Sequence, residues 1–151
     1  MTEPHELAMF PLEHPIVPGQ VVPLHVFEPR YRALAADITA SDDRLFGIAM
    51  IERGREVGGD DERSLVGVTS RITEFEEFAD GRWALLTAAI GRIRVHGWLD
   101  DDPYPRALIT DWPDEQRPEP DDGVVADALE RTHAAVQRIV DAARILQPGR
   151  K

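Results

Sequence analysis

The sequence predicts a mainly β protein with helices, an α+β fold built around a small, bent, barrel-like sheet. Several apolar runs of strand chemistry follow one another without helices between them, which favours a mostly antiparallel sheet. Two segments only, 29–41 and 122–147, switch to a helical period. The chain has 151 residues, 42% of them apolar and 30% charged. A chain of that length buries roughly 70% of its unfolded surface and can stand on a core of its own.

The first apolar run is Leu7 to Leu12, and Pro15 and the turn pair Pro18-Gly19 punctuate the chain after it. Val21 to Phe27 is rich in β-branched and aromatic residues and reads as a strand. Pro23 within it removes a ladder donor, which places that end at a sheet edge or a bulge. At Glu28-Pro29-Arg30 the period changes, and proline suits a first helical turn. Tyr31, Leu34, Ala35 and Ile38 then fall on one helical face, and Ser41-Asp42-Asp43 ends the helix.

Leu45 to Ile51 is a continuous apolar run that reads as a buried strand, and the glycine-rich stretch 53–63 after it as a mobile loop. Leu65 to Phe78 alternates imperfectly, so a bulge or bend is expected near Ser70–Thr73. Asp80-Gly81 is a hairpin signal, and 82–90 returns as the partner strand. Gly91 interrupts. Then 92–98 resumes, with Ile93 and Val95 on one face and Arg92, Arg94 and His96 on the other. After the turn Asp100-Asp101-Asp102-Pro103, 104–112 reads as the last strand, for a total of about six.

Three prolines and five acids in 113–122 make a linker rather than a sheet element. The expected organisation is therefore a domain over 1–112, an acidic Pro-rich linker over 113–121 and a C-terminal helix over 122–151. In that helix Val125, Leu129, Thr132, Val136, Ile139, Ala143 and Leu146 step by four and three, a heptad-type seam. Asp122 reads as its N-cap and Pro148-Gly149 as its stop. Val124, Ala128, Ala135, Val140 and Ile145 widen the seam, which favours docking on the domain, a helical partner or a second copy over a free coiled coil.

Composition excludes much chemistry. There is no cysteine, hence no disulfide, thiolate metal site or cysteine nucleophile. Sixteen of the 17 basic residues are arginine and the only lysine is Lys151, so there is no internal lysine for a Walker A loop or a Ser–Lys dyad. The acidic clusters do not space like a calcium loop, and none of the five histidines pairs at i, i+4. His25, inside an apolar strand, is expected to be structural. No cofactor, metal or catalytic residue is expected. The net charge of −11 repels nucleic acid and anionic lipid, although Arg71, Arg82, Arg92 and Arg94 could cluster. No run nears the ~18 apolar residues of a membrane span, and the start Met1-Thr2-Glu3-Pro4-His5-Glu6 is not a secretory leader. A cytoplasmic location is the expectation.

Glu28-Pro29-Arg30-Tyr31-Arg32 puts opposite charges and an aromatic at a strand-to-helix junction. Structurally, Glu28 and Arg30 would satisfy local backbone groups and each other while Tyr31 anchors the helix to the sheet. Functionally, Phe27, Glu28, Arg30 and Tyr31 would form the rim of a groove that meets an extended peptide.

Phe10-Pro11-Leu12, Pro18-Gly19 and above all Pro23-Leu24-His25-Val26-Phe27-Glu28-Pro29-Arg30-Tyr31-Arg32 resemble the N-terminal substrate-recognition domain of the Lon protease family, in particular its short stand-alone bacterial members. The later pieces Phe46-Gly47-Ile48, Glu56-Val57-Gly58, Val66-Gly67-Val68, Gly91-Arg92-Ile93-Arg94-Val95 and Pro103-Tyr104-Pro105-Arg106-Ala107 keep the order, so the likeness spans roughly 8–112. It implies a PUA-like six-stranded pseudo-barrel with a helix after the second strand. It also implies a non-catalytic module that binds unfolded or exposed apolar polypeptide segments in protein quality control. The alternative is a PUA-like RNA-binding module, against which the charge stands.

Overall fold

The computed structural model describes residues 3–53, 62–115 and 120–146. They form two compact units, Met1–Asp114 and Glu115–Lys151. The first holds strands β1 (His5–Leu12), β2 (Val21–Val26), β3 (Leu45–Arg53), β4 (Glu62–Glu77), β5 (Trp83–Leu99) and β6 (Arg106–Asp111), with helix α1 (Pro29–Ala40) between β2 and β3. The second holds helix α2 (Asp122–Leu146). The fold is α+β, as the sequence predicts.

The strands lie in the order β2-β5-β4-β3-β1-β6, and β6 returns to pair with β5. Five strands thus close on themselves, and β2 hangs on the first half of β5, its other side unpaired among the described residues. All pairings are antiparallel except β1 with β3. β5 reaches this far because it is 17 residues long. Its first half pairs β2 and β4, and its second half pairs β4 and β6.

Two sequence expectations need correction. Leu7–Leu12, left without an element, is most of strand β1. The runs 82–90 and 92–98 are one strand, β5. Thr69 faces Gly91 and Ser70 faces Ala89, so Ile90 is the extra residue of a bulge. Gly91 therefore marks a bend in a continuous strand and not its end. Two further bulges follow the same logic. On β4 Thr73 is the unpaired residue, within the stretch where the alternation faltered, and its hydroxyl donates to Leu86 O at 3.1 Å. On β5 His96 is the extra residue, and its Nε2 lies 2.9 Å from Thr110 Oγ1.

The bent sheet encloses two apolar clusters. The larger gathers Phe10 and Leu12 of β1, Val22, Leu24 and Val26 of β2, Tyr31, Leu34 and Ala35 of α1, Phe46 and Ile48 of β3, and Trp83 and Leu85 of β5. The smaller gathers Met9, Ala49, Ile93, Val95, Ala107 and Ile109. Successive residues of β1 and β3 therefore enter different clusters, Met9 against Phe10 and Ile48 against Ala49. Both faces are buried, which is why these strands are unbroken apolar runs. Fully burying each Leu, Ile or Phe contributes roughly 1.5–3 kcal/mol. Thr87 is a buried polar group on β5 whose hydroxyl donates to Val22 O at 2.9 Å, tying β2 to β5.

α1 starts with Pro29 in its first turn and ends at Ser41, whose Oγ donates to Ile38 O at 2.7 Å. The hairpin between β4 and β5 turns at Gly81, with φ +87. Beside it the Asp80 carboxylate accepts from the backbone N–H of Arg82 at 3.1 Å and from Arg82 Nε at 2.7 Å. These bonds hold its carboxyl below the usual range, against the opposing effect of desolvation.

α2 is capped one residue earlier than expected. Asp121, and not Asp122, accepts the Val124 N–H on Oδ1 at 3.0 Å, because the carboxylate must precede the helix to reach its third N–H. Asp127–Arg131 and Asp141–Arg144 pair along it, at 3.0 and 3.9 Å. Val125, Leu129, Val136 and Ile139 of the seam are exposed. The expected stop at Pro148-Gly149, the centre of the loop expected at 53–63, and 116–119 of the linker lie outside the described residues.

Candidate functional site

β2 alternates between exposed Val21, Pro23 and His25 and buried Val22, Leu24 and Val26. The alternation carries one residue past the strand, so Phe27 emerges with 52% of its surface exposed. Pro29 then turns the chain into α1, whose first inward residue is Tyr31. The junction stands over a cavity of about 260 Å³. Buried Phe10, Leu12 and Tyr31 form its inner wall, and Pro23, Phe27, Glu28, His14 and His25 surround it. It is smaller than the ~300–1,000 Å³ of small-molecule sites and suits one or two side chains.

The four residues singled out in the sequence come together here but differ in what they offer. Tyr31, 4% exposed, stacks on Phe10 at 4.2 Å between ring centroids, and the Arg30 guanidinium covers its other face at 4.5 Å. It is therefore wall and anchor rather than open rim. Phe27 is the one large apolar side chain of the four that a partner can reach. Glu28 does not cap α1 with its side chain, because its Oε2 lies 3.2 Å from Arg30 Nε. The two pair with each other, as expected.

The network extends beyond what the sequence indicated. Arg30 Nη1 lies 3.5 Å from Asp101 Oδ2. Asp101 also takes a two-pronged contact from Arg63, Nη1 to Oδ1 at 3.0 Å and Nη2 to Oδ2 at 3.2 Å. Arg63 itself rests on the Trp98 ring at 4.9 Å. Glu28, Arg30, Asp101 and Arg63 thus alternate in sign and fasten the junction to the start of β4 and to the turn before β6. That turn grips α1 a second time. Tyr104 Oη donates to Asp37 Oδ2 at 2.8 Å, and burial together with this carboxylate pushes the phenol up to about 12. No local pattern marks Asp101 or Arg63, because their partners lie 38 residues apart in sequence.

His25, expected to be structural, is exposed. It lies on the outer face of β2, ring edge towards Phe27 at 6.4 Å between centroids, since Leu24 and Val26 take the inward positions. Of the four arginines that could cluster, Arg92 and Arg94 share the Trp112 ring and Arg71 lines one cavity with Arg92, yet all four are engaged. Arg82 pairs with Asp80 and Arg92 with Asp114, Arg71 Nε donates to Asp43 O, and Arg94 rests on Trp112. Among the described residues no group of three or more acidic or histidine side chains could hold a metal ion. Nor, among them, is any helix long and apolar enough to cross a membrane.

Comparison with known proteins bears directly on this architecture. The Lon N-terminal domain protein from Xanthomonas campestris superposes with a TM-score of 0.64 at 30% identity, over 84% of this chain and 72% of that one. The N-terminal domain of the Mycobacterium avium complex Lon protease shares the fold, with a TM-score of 0.61 at 19% identity, over 93% of this chain and 72% of that one. No curated protein sequence matches. The model of the ATP-dependent protease La (LON) substrate-binding domain matches residues 6–150, and the chain belongs to that family.

Proposed function

We propose that the protein is a non-catalytic module that captures exposed apolar segments of unfolded polypeptides and serves protein quality control in the cytoplasm. The observation that carries this reading is the cavity under exposed Phe27, set beside the unpaired side of β2. An extended segment can lie along that edge, take main-chain hydrogen bonds and lower one apolar side chain against Phe10, Leu12 and Tyr31. Glu28 and Arg30 neutralise each other, so the rim favours apolar over charged segments. Membership of a substrate-binding family supports the same reading.

The test is a fluorescence anisotropy titration with a labelled, permanently unfolded chain and with short apolar peptides, at low and moderate salt. Saturable binding that changes little with salt is expected, because apolar burial is not screened. Absence of saturation at high micromolar concentration would refute capture. A steep fall with salt, together with a shift of single-stranded RNA, would favour a nucleic-acid module instead.

A further inference from the structure

A second cavity, of about 490 Å³, shares no residue with the first. Arg71, Arg92 and Trp112 line it, with Asp111 and Asp114 as its acidic members. Arg92 and Arg94 sit two apart on one face of β5, with their guanidinium groups 5.1 and 4.5 Å from the Trp112 ring centroid. Trp112 is held in register by its N–H donating to Arg92 O at 2.9 Å. Arg92 also borders a third, mostly apolar cavity of about 270 Å³, walled by residues such as Ile16, Pro18, Ile48 and Val66. Arg92 and Pro18 therefore line both chambers, of which the smaller is the more apolar.

We infer that these neighbouring cavities, which share Pro18 and Arg92, bind the free C-terminal end of a polypeptide whose last residue is apolar, with its α-carboxylate on Arg92 and its side chain in the more apolar chamber. Three observations converge. First, a carboxylate already sits on Arg92: that of Asp114, which is 87% exposed and so is free to leave. With Asp114 displaced, Arg71 and Arg92 face Asp111 alone, and the chamber is one positive charge in excess. Second, Arg92 Nε is buried with no hydrogen-bond partner among the described residues, so the guanidinium keeps a donor for a second oxygen. Third, a carboxylate and an apolar side chain must be presented side by side, and a chain end carries both on a single Cα. An aspartate or glutamate side chain does not. Asp114 acts as a stand-in that a chain end displaces.

Calorimetry with three versions of one short Gly/Ser peptide ending in leucine tests this: the free acid, the C-terminal amide, and the amide with glutamate beside the leucine. Octanoate is the fourth probe, to separate a chain end from a fatty acid. The free acid is expected to bind saturably, with both amides at least about tenfold weaker, the range of a lost charge-assisted pair. Asp114→Asn should tighten the free acid several-fold and Arg92→Gln should abolish its advantage, while Phe27→Ser leaves it unchanged. Equal affinity of acid and amide, octanoate binding as tightly as the peptide acid, or an Asp114→Asn protein with unaltered affinity would each overturn the inference. Asp114 is exposed enough for that substitution to leave the fold intact, and loss of the Phe27-dependent binding alone would count only against the first cavity.

Discussion

Replacing Phe27 by serine separates capture from folding. A phenylalanine presents roughly 200 Å² for burial, and Phe27 keeps 52% of its surface exposed. A bound segment can therefore cover about 100 Å², worth about 2.5 kcal/mol at about 25 cal/mol per Å². Incomplete cover and side-chain ordering reduce this, so the loss of affinity should fall between about 5-fold and about 60-fold. Phe27 belongs to neither apolar cluster, so the stability cost should stay below about 1 kcal/mol. Anisotropy titration of the wild type and Phe27→Ser with the same unfolded chain reads the first quantity, and urea denaturation the second. A folded Phe27→Ser protein that binds as tightly as the wild type would refute the placement of the site. Equal losses of binding and stability would show that Phe27 supports the domain rather than the ligand.

Other outcomes follow from the same geometry. Gly81→Ala should destabilise by about 1–3 kcal/mol in urea, since φ is +87 there and a Cβ would run into the Arg32 guanidinium. Thr87→Val should cost about 1–2 kcal/mol by leaving Val22 O without its side-chain partner, and should raise hydrogen exchange in β2 before the other strands. The folded-state pKa of Tyr104, about 12, lies above the ordinary value of 10, so its contribution is complete below pH 10 and is lost as pH rises through about 12. Tyr104→Phe should remove that alkaline decline in urea denaturation, and with it a late-titrating phenol in tyrosinate absorbance. The exposed stripe of α2 predicts self-association, so Val136→Asp with Ile139→Asp should lower the mass measured by light scattering in concentrated solution.

How much could be read in advance depended on how local each signal was. α1, the Asp80-Gly81 hairpin and the alternating second half of β5 each carry their pattern within a few residues. β1 does not, because Met9 and Phe10 enter different clusters, so no alternation exists to be seen. β5 appeared as two strands because a bulge and a chain break both attract glycine, and only the partner's register, Thr69 to Gly91 and Ser70 to Ala89, tells them apart. At the site, the Phe27–Tyr31 block was legible as a junction. What was not legible is which of its members faces outward, since the inward positions of β2 and α1 decide that Tyr31 is wall and Phe27 is surface. Asp101 and Arg63 were invisible for a different reason: salt bridges across 38 residues leave no periodic trace.

The seventeen residues of β5 run through the walls of both apolar clusters, with Leu85 in one and Ile93 in the other. Neither half should melt while its neighbour holds that strand in place, and neither should assemble far ahead of it. Heat or denaturant should therefore meet a single all-or-none transition across the six strands and α1, whichever probe follows it. A lesion planted beneath Met9 should be felt as promptly at Trp83 as at Ile109.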